Sequence, residues 1–198
     1  MSKIDRTSDY PVHPLLLERW SPRAFADKPV TEEQLMTILE AARWAPSGSN
    51  LQPWRLIYAL KGTPEFDTLL SLLVPFNEGW AKSAGALVFV ASVTSFDLTR
   101  PNITNSYDAG AAWMSMAVQA QSMGLITHGM AGIDYDKVPL VLNFPENLKL
   151  EAALAIGYQG DPATLVDYLQ PREVPSPRIP LSEIAFNGKF TGEIKVPA

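Results

Sequence analysis

Ala41-Ala42-Arg43-Trp44-Ala45-Pro46-Ser47-Gly48-Ser49-Asn50-Leu51-Gln52-Pro53-Trp54 carries the chain out of a helix, round a turn of small and amide residues, and into a strand. Upstream, Thr31-Glu32-Glu33-Gln34 is a capping box. The threonine hydroxyl accepts from the N–H three residues on while the glutamine side chain reaches back, so two donors with no partner inside the helix are satisfied. Leu35, Ile38, Leu39 and Ala42 then recur at helical spacing, and Pro46-Ser47-Gly48 ends the helix. Downstream, Arg55-Leu56-Ile57-Tyr58-Ala59-Leu60 predicts a strand and Pro64 to Leu73 a helix. Ala86-Leu87-Val88-Phe89-Val90-Ala91 predicts a central strand, apolar at every position because both of its faces would be covered.

Further from the opening stretch, Pro14 to Trp20 predicts a short first helix. Asp108 to Met123 predicts a helix so small-sided and apolar all round that most of its faces need cover, part of it from a partner chain. Gly124 to Gly132 reads as a glycine-punctuated crossing, Asp134 to Leu142 as a helix and Leu150 to Ile156 as a strand. From Gln170 onward Pro171, Pro175, Pro177 and Pro180 forbid helix, and Asn187-Gly188 signals a tight turn. This predicts an extended arm whose Ile179, Leu181, Ile184, Phe186 and Phe190 need a surface to lie on. The element order is α/β (α+β), a single domain over residues 1–198 with a core over 15–169 and an arm over 170–198.

Composition narrows the function classes. A chain of 198 residues can bury a full core without disulfides. It has no cysteine, which removes thiol nucleophiles, Cys-ligated zinc and iron–sulfur clusters, so redox chemistry would have to be borrowed from a cofactor. A net charge of -5 argues against a nucleic-acid surface, which needs a basic face. The first residues lack the apolar segment of a secretory signal, and no apolar run approaches the length that spans a bilayer. A soluble, cytoplasmic protein with no membrane partner is expected.

Three clusters could carry chemistry. Arg19-Trp20-Ser21-Pro22-Arg23 sets two planar guanidinium forks and a hydroxyl within five residues, a set that suits a phosphate and equally suits a solvated helix end with surface ion pairs. Pro46-Ser47-Gly48 lets backbone approach a ligand, and Asn50 can donate and accept toward a heterocycle; an ordinary loop with Trp54 packed in the core is the other reading. Gly129-Met130-Ala131-Gly132 lacks the spacing of a dinucleotide fingerprint, which argues against a Rossmann enzyme. Its glycines serve either a turn or access to a flat ligand. His128 beside them is read as a hydrogen-bonded structural histidine before a catalyst, and His13 as solvated. No Ser-His-Asp order, His-Glu-x-x-His run or carboxylate pair stands out.

Together these pieces resemble the FMN-dependent nitroreductase family. Arg19-Trp20-Ser21-Pro22-Arg23 with Phe25 is similar to its opening phosphate motif, and Ala41 to Ser47 with Asn50-Leu51-Gln52-Pro53-Trp54 is similar to its second block. Asp108-Ala109-Gly110, Gly124-Leu125, Gly132-Ile133-Asp134 and Ile156-Gly157-Tyr158 follow in the family's order, and Ser176-Pro177-Arg178 resembles its C-terminal motif. The resemblance implies a three-layer sandwich with a mixed or antiparallel central sheet flanked by helices, and a C-terminal arm over the partner subunit. It also implies a homodimer with FMN at the interface. On it, Arg19, Trp20, Ser21, Arg23, Ser176 and Arg178 belong to the phosphate and ribityl end, and Met130, Ala131 and Gly132 lie by the flavin ring. Pro46, Ser47, Gly48 and Asn50 approach from the other subunit. No catalytic side chain and no metal ligand are named. Trp20 stands where the family often has a basic residue, and Ala131 where one branch has glutamate. The stretch from Thr94 to Tyr107 is short, implying an open pocket or one closed by Phe76, Trp80 and Tyr107. The implied activity is hydride transfer from NAD(P)H through FMN to a nitroaromatic, quinone or similar small acceptor. The alternatives are other flavin chemistry of the family, such as dehalogenation, dehydrogenation or flavin destruction, and a non-catalytic FMN-binding dimer.

Overall fold

The apolar run that predicts a central strand is buried at every position. The computed structural model, described over residues 6–97 and 99–194, places it in strand β2, Ala86–Val93. Strand β2 pairs with β1 (Trp54–Leu60) on one side and with β4 (Leu148–Gly157) on the other, while β3 (Ile126–Met130) lies beyond β4. The order is β1-β2-β4-β3, and every pairing is antiparallel.

Alternation along β2 explains the two outer layers, because successive side chains of a strand point to opposite faces. Ala86, Val88 and Val90 join Leu35, Ile38 and Ala42 of helix α2 (Glu32–Arg43) and Ala112 and Met116 of helix α5 (Asn105–Ser122). Leu87 and Phe89 face the other way, toward Phe66 and Leu69 of helix α3 (Pro64–Ser71) and Trp80 of helix α4 (Pro75–Ala81). A sheet between two helical layers is thus what the predicted sandwich becomes, with an antiparallel sheet. The capping box of α2 forms as read, with Thr31 Oγ1 accepting from Gln34 N and Gln34 Oε1 from Thr31 N.

Some elements differ from expectation. Helix α1 spans Pro14–Glu18 and stops short of Trp20, since Pro22 has no N–H to give a helix and disfavours helical backbone at Ser21. The glycine-punctuated crossing contains strand β3, in which Gly129 is a packing residue: a Cβ there would sit 3.2 Å from the Trp113 ring. Helix α4 lies where no helix was predicted, and helix α6 is one short piece, Lys137–Val141. Trp80 is 4% exposed and packs against Phe25 and His128. No helix among the described residues is long and apolar enough to cross a membrane.

Helix α5 buries Ala109, Ala112, Met116, Ala117 and Ala120, yet in a single chain Gly110 stays exposed and Trp113 and Met114 half-buried. The arm is extended apart from two short 3₁₀ turns, and Ile184, Phe190 and Ile194 on it remain exposed.

Candidate functional site

Two non-helical segments far apart in sequence meet to form the site. One leaves α1 at Arg19, and the other opens the C-terminal arm at Arg172. Along the arm, Arg172, Val174, Ser176 and Arg178 recur every second residue and all line one cavity of about 280 Å³. Arg19, Ser21 and Arg23, also two apart, line it from the other side with Trp20. A spacing of two is the spacing at which side chains of extended chain share a face. Strand β3 contributes His128 and Gly129, and the N-terminal segment contributes Arg6.

Glu173, out of phase with the lining residues, turns away and ties the two segments together. Its Oε1 accepts from Arg23 N at 2.6 Å and Ala24 N at 2.7 Å, and the residue is 7% exposed. The start of the arm is therefore tied to the segment that carries the first motif.

Charge is the cavity's dominant property. Arg6, Arg19, Arg23, Arg172 and Arg178 bring five guanidiniums to a lining that has no carboxylate, in a chain of net charge -5. None of the five forms a salt bridge with another described residue. The Nε atoms of Arg6 and Arg23 are buried without a hydrogen-bond partner. Burial first, then Arg6 and Arg178, hold Arg19 below the ordinary guanidinium pKa; burial and then Arg178 do the same to Arg6. Buried, unpartnered guanidinium nitrogens in a lining without carboxylates are a donor set that suits an anion.

Aromatic rings stiffen the walls. The Arg19 guanidinium lies 6.0 Å from the Trp113 ring centroid, and Arg23 the same distance from Trp80. Trp80 packs against His128 with ring centroids 4.6 Å apart. Nδ1 of His128 lies 3.1 Å from the Pro22 carbonyl oxygen. Burial first, then the charge of Arg23, pushes its pKa down to about 4, outweighing the hydrogen bonds to the Pro22 and Ser21 backbone. The ring is neutral near pH 7, and its Nδ1–H fixes the backbone between the first motif's arginines. His128 is thus the hydrogen-bonded structural histidine of the sequence reading, although it sits in the site's wall.

The second block lies elsewhere on the chain. Pro46, Ser47, Gly48 and Asn50 do not line the arginine cavity. Their loop is strained: Ser49, Asn50 and Gln52 have φ of 50°, 56° and 48°, the left-handed region that non-glycine residues avoid. It is held from beneath. Gly48 N donates to the Asp108 carboxylate of α5, Gln52 N donates to Ser47 Oγ at 3.0 Å, and Trp54 is buried just beyond. A Cβ at Gly48 would lie 2.9 Å from Thr104 Oγ1, so this position has no room for a side chain. Exposed, strained, polar loops on a rigid support are where binding residues concentrate.

Met130, Ala131 and Gly132 continue from the cavity wall at the end of β3; Met130 is buried and Ala131 exposed. The Gly132 carbonyl accepts from Val74 N at 3.1 Å and Asn77 Nδ2 at 3.1 Å, while neither N–H of Ala131 and Gly132 donates to another described backbone group. The structure therefore joins Arg19, Trp20, Ser21, Arg23, Ser176 and Arg178 in one cavity, sets Met130 at the end of the strand that carries His128 and Gly129 with Ala131 and Gly132 just beyond it, and leaves the second block apart. Sequence reasoning missed Arg6, Arg172 and Glu173. Arg172 could have been found, since it keeps step with Ser176 and Arg178.

The family model described as the nitroreductase family matches residues 16–70, which include the first arginines, α2 and the strained loop. A crystal structure of an oxidoreductase containing FMN is 48% identical and superposes with a TM-score of 0.93, covering 98% of this chain and 100% of that one. A nitroreductase family protein from Clostridium difficile 630 is 26% identical with a TM-score of 0.69, over 89% of this chain and 97% of that one. The NADH dehydrogenase of Thermus thermophilus is 24% identical over 197 residues, 85% of this chain and 91% of that one.

Proposed function

Because the chain belongs to the nitroreductase family, we propose that it is an FMN-dependent oxidoreductase that takes hydride from NAD(P)H and passes it to a small oxidised acceptor such as a nitroaromatic or a quinone. The observation that carries this reading is the cavity of five guanidiniums with no lining carboxylate and with buried donors lacking partners. A phosphate dianion fits it. Planar forks match phosphate oxygens, and the mutual repulsion of the arginines is relieved when one binds.

Arg19, Ser21, Arg23 and Arg178 would hold the phosphate, with Trp20 and Ser176 beside them. Met130, Ala131 and Gly132 would lie along the flavin ring, and the N–H groups of Ala131 and Gly132 are candidates for its polar edge. Pro46, Ser47, Gly48 and Asn50 would complete the site of a second copy, which makes the working unit a homodimer. Two observations favour that assembly: the half-covered face of α5 and the exposed apolar residues of the arm. Bound FMN supplies reversible two-electron chemistry. The chain's own groups supply position: His128 holds the Pro22 carbonyl, Glu173 holds the N–H groups of Arg23 and Ala24, and Trp113 backs Arg19. No side chain is assigned as acid or base. A cytoplasmic location accords with NAD(P)H as the donor.

The test is direct. The purified chain should be yellow, release FMN and not FAD on denaturation, and oxidise NAD(P)H steadily when an acceptor is present. A colourless chain that takes up no added FMN ends the reading, and a loaded chain that never oxidises NAD(P)H is a non-catalytic FMN binder.

A further inference from the structure

Arg6 lies outside every motif quoted from the sequence, yet it is one of the five arginines of the cavity. Its Nη1 donates to the carbonyl oxygens of Leu17 at 3.0 Å and Arg19 at 2.7 Å, the carbonyls that α1 leaves unpaired at its C-terminal end. Two bonds use both hydrogens of Nη1 and fix the plane of the guanidinium. The edge made by Nε and Nη2 is the fork that takes two oxygens of a phosphate, and its Nε is buried with no hydrogen-bond partner. Arg6 forms no salt bridge with another described residue.

We propose that Arg6 is a phosphate-contacting residue of the cradle, and that the N-terminal segment before α1 is thereby part of the flavin site. This rests on the reading that the cradle holds the FMN phosphate. Arg6 approaches from a third segment, beside those of Arg19 and Arg178, so the anion is enclosed by chain from both ends of the sequence. Its electrostatic coupling to Arg178 and Arg19 is repulsive, and a bound dianion relieves it. The bland role for Arg6 is to cap α1 alone, which would make it a matter of stability.

The two roles separate in the flavin-stripped full-length chain when FMN is compared with riboflavin, which has the same ring system and no phosphate. Arg6→Gln keeps a donor for the carbonyls and removes the charge; Arg6→Lys keeps the charge and removes the fork. Fluorescence titration should show Arg6→Gln weakening FMN binding about tenfold or more, with riboflavin binding unchanged, and Arg6→Lys falling between. The FMN loss should shrink as salt is raised. Equal losses for FMN and riboflavin together with a lower melting temperature, or no loss for either, overturn the proposal and leave Arg6 a helix cap. Wild-type chain that binds neither flavin overturns the parent reading with it, whereas wild-type binding with an unaffected Arg6→Gln overturns this inference alone.

Discussion

His128 shows how a single residue at the cavity wall converts burial into pH dependence. Its folded pKa of about 4 lies below the ordinary histidine value of 6.5. Above pH 6.5 the ring is neutral folded or unfolded and contributes nothing to the dependence. As pH falls from 6.5 toward 4, the unfolded chain takes up a proton that the folded chain refuses, so stability is lost across that window. Between pH 7 and pH 5 the loss amounts to roughly 2 kcal/mol. Urea unfolding of wild type and His128→Gln at the two pH values should show that much extra acid sensitivity in the wild type; parallel behaviour would place the imidazole in a more solvated setting. The arginines answer to a different measurement. Arg19→Ala, Arg23→Ala and Arg178→Ala should each weaken FMN retention about tenfold or more, since a charge-assisted hydrogen bond contributes roughly 1.5–3 kcal/mol. Equilibrium dialysis that finds unchanged FMN affinity in all three returns them to the solvated surface. Glu173→Ala should weaken FMN as well, without touching it, because the N–H groups of Arg23 and Ala24 lose their acceptor and the two arginine-bearing segments are no longer tied. Protease sensitivity of the arm should rise in the same variant, and an arm cut no faster than in wild type would deny Glu173 the role of a tie.

Among the elements, those whose cause is local were legible in the sequence. The run from Ala86 to Ala91 reads as a central strand because apolar cover on both faces leaves a pattern within six residues, and β2 is that strand. The capping box of α2 is equally local. Strand β3 was not legible, since Gly129 looks like a turn signal until Trp113, sixteen residues earlier, is seen to need its space. The site divides the same way. Arg19, Ser21 and Arg23 announce themselves by a spacing of two, while Glu173 meets Arg23 across a separation of 150 residues and Arg6 meets Arg19 through backbone carbonyls that no motif encodes. The prolines made the arm's extended backbone legible, whereas the contact of Glu173 with the backbone of Arg23 and Ala24 left no trace in the sequence. A truncation from Gln170 onward tests the element as a whole. It removes Arg172 and Arg178 from the cavity, the tie made by Glu173, and the exposed apolar residues beyond. Sedimentation and flavin content should both change, the shortened chain running as a flavin-free monomer. A flavin-loaded dimer lacking the arm would make residues 170–198 dispensable to both.

At the scale of the whole molecule, the proposed reading has one phosphate cradle and one strained loop per chain, hence one flavin position per half of the proposed dimer, and the expected kinetics follow from that count. The chain has no cysteine, so no thiol relay can store electrons away from the flavin. On the proposed reading, NAD(P)H and the acceptor use the same flavin face in turn, the first leaving before the second arrives. Initial rates measured with both substrates varied should give parallel double-reciprocal lines, the pattern of an enzyme that holds two electrons between half-reactions. NAD(P)H in excess should inhibit competitively against the acceptor, because the reduced enzyme still offers it the place that the acceptor needs. The half-reactions should also be separable by eye. Without oxygen and without acceptor, NAD(P)H should bleach the flavin absorbance, and a nitroaromatic or quinone added afterwards should restore it. Intersecting lines would mean that both substrates are bound together and would require a second place for one of them. A flavin that NAD(P)H leaves oxidised would point to another reductant or to the non-catalytic FMN binder, while the phosphate cradle and its arginines would stand unchanged.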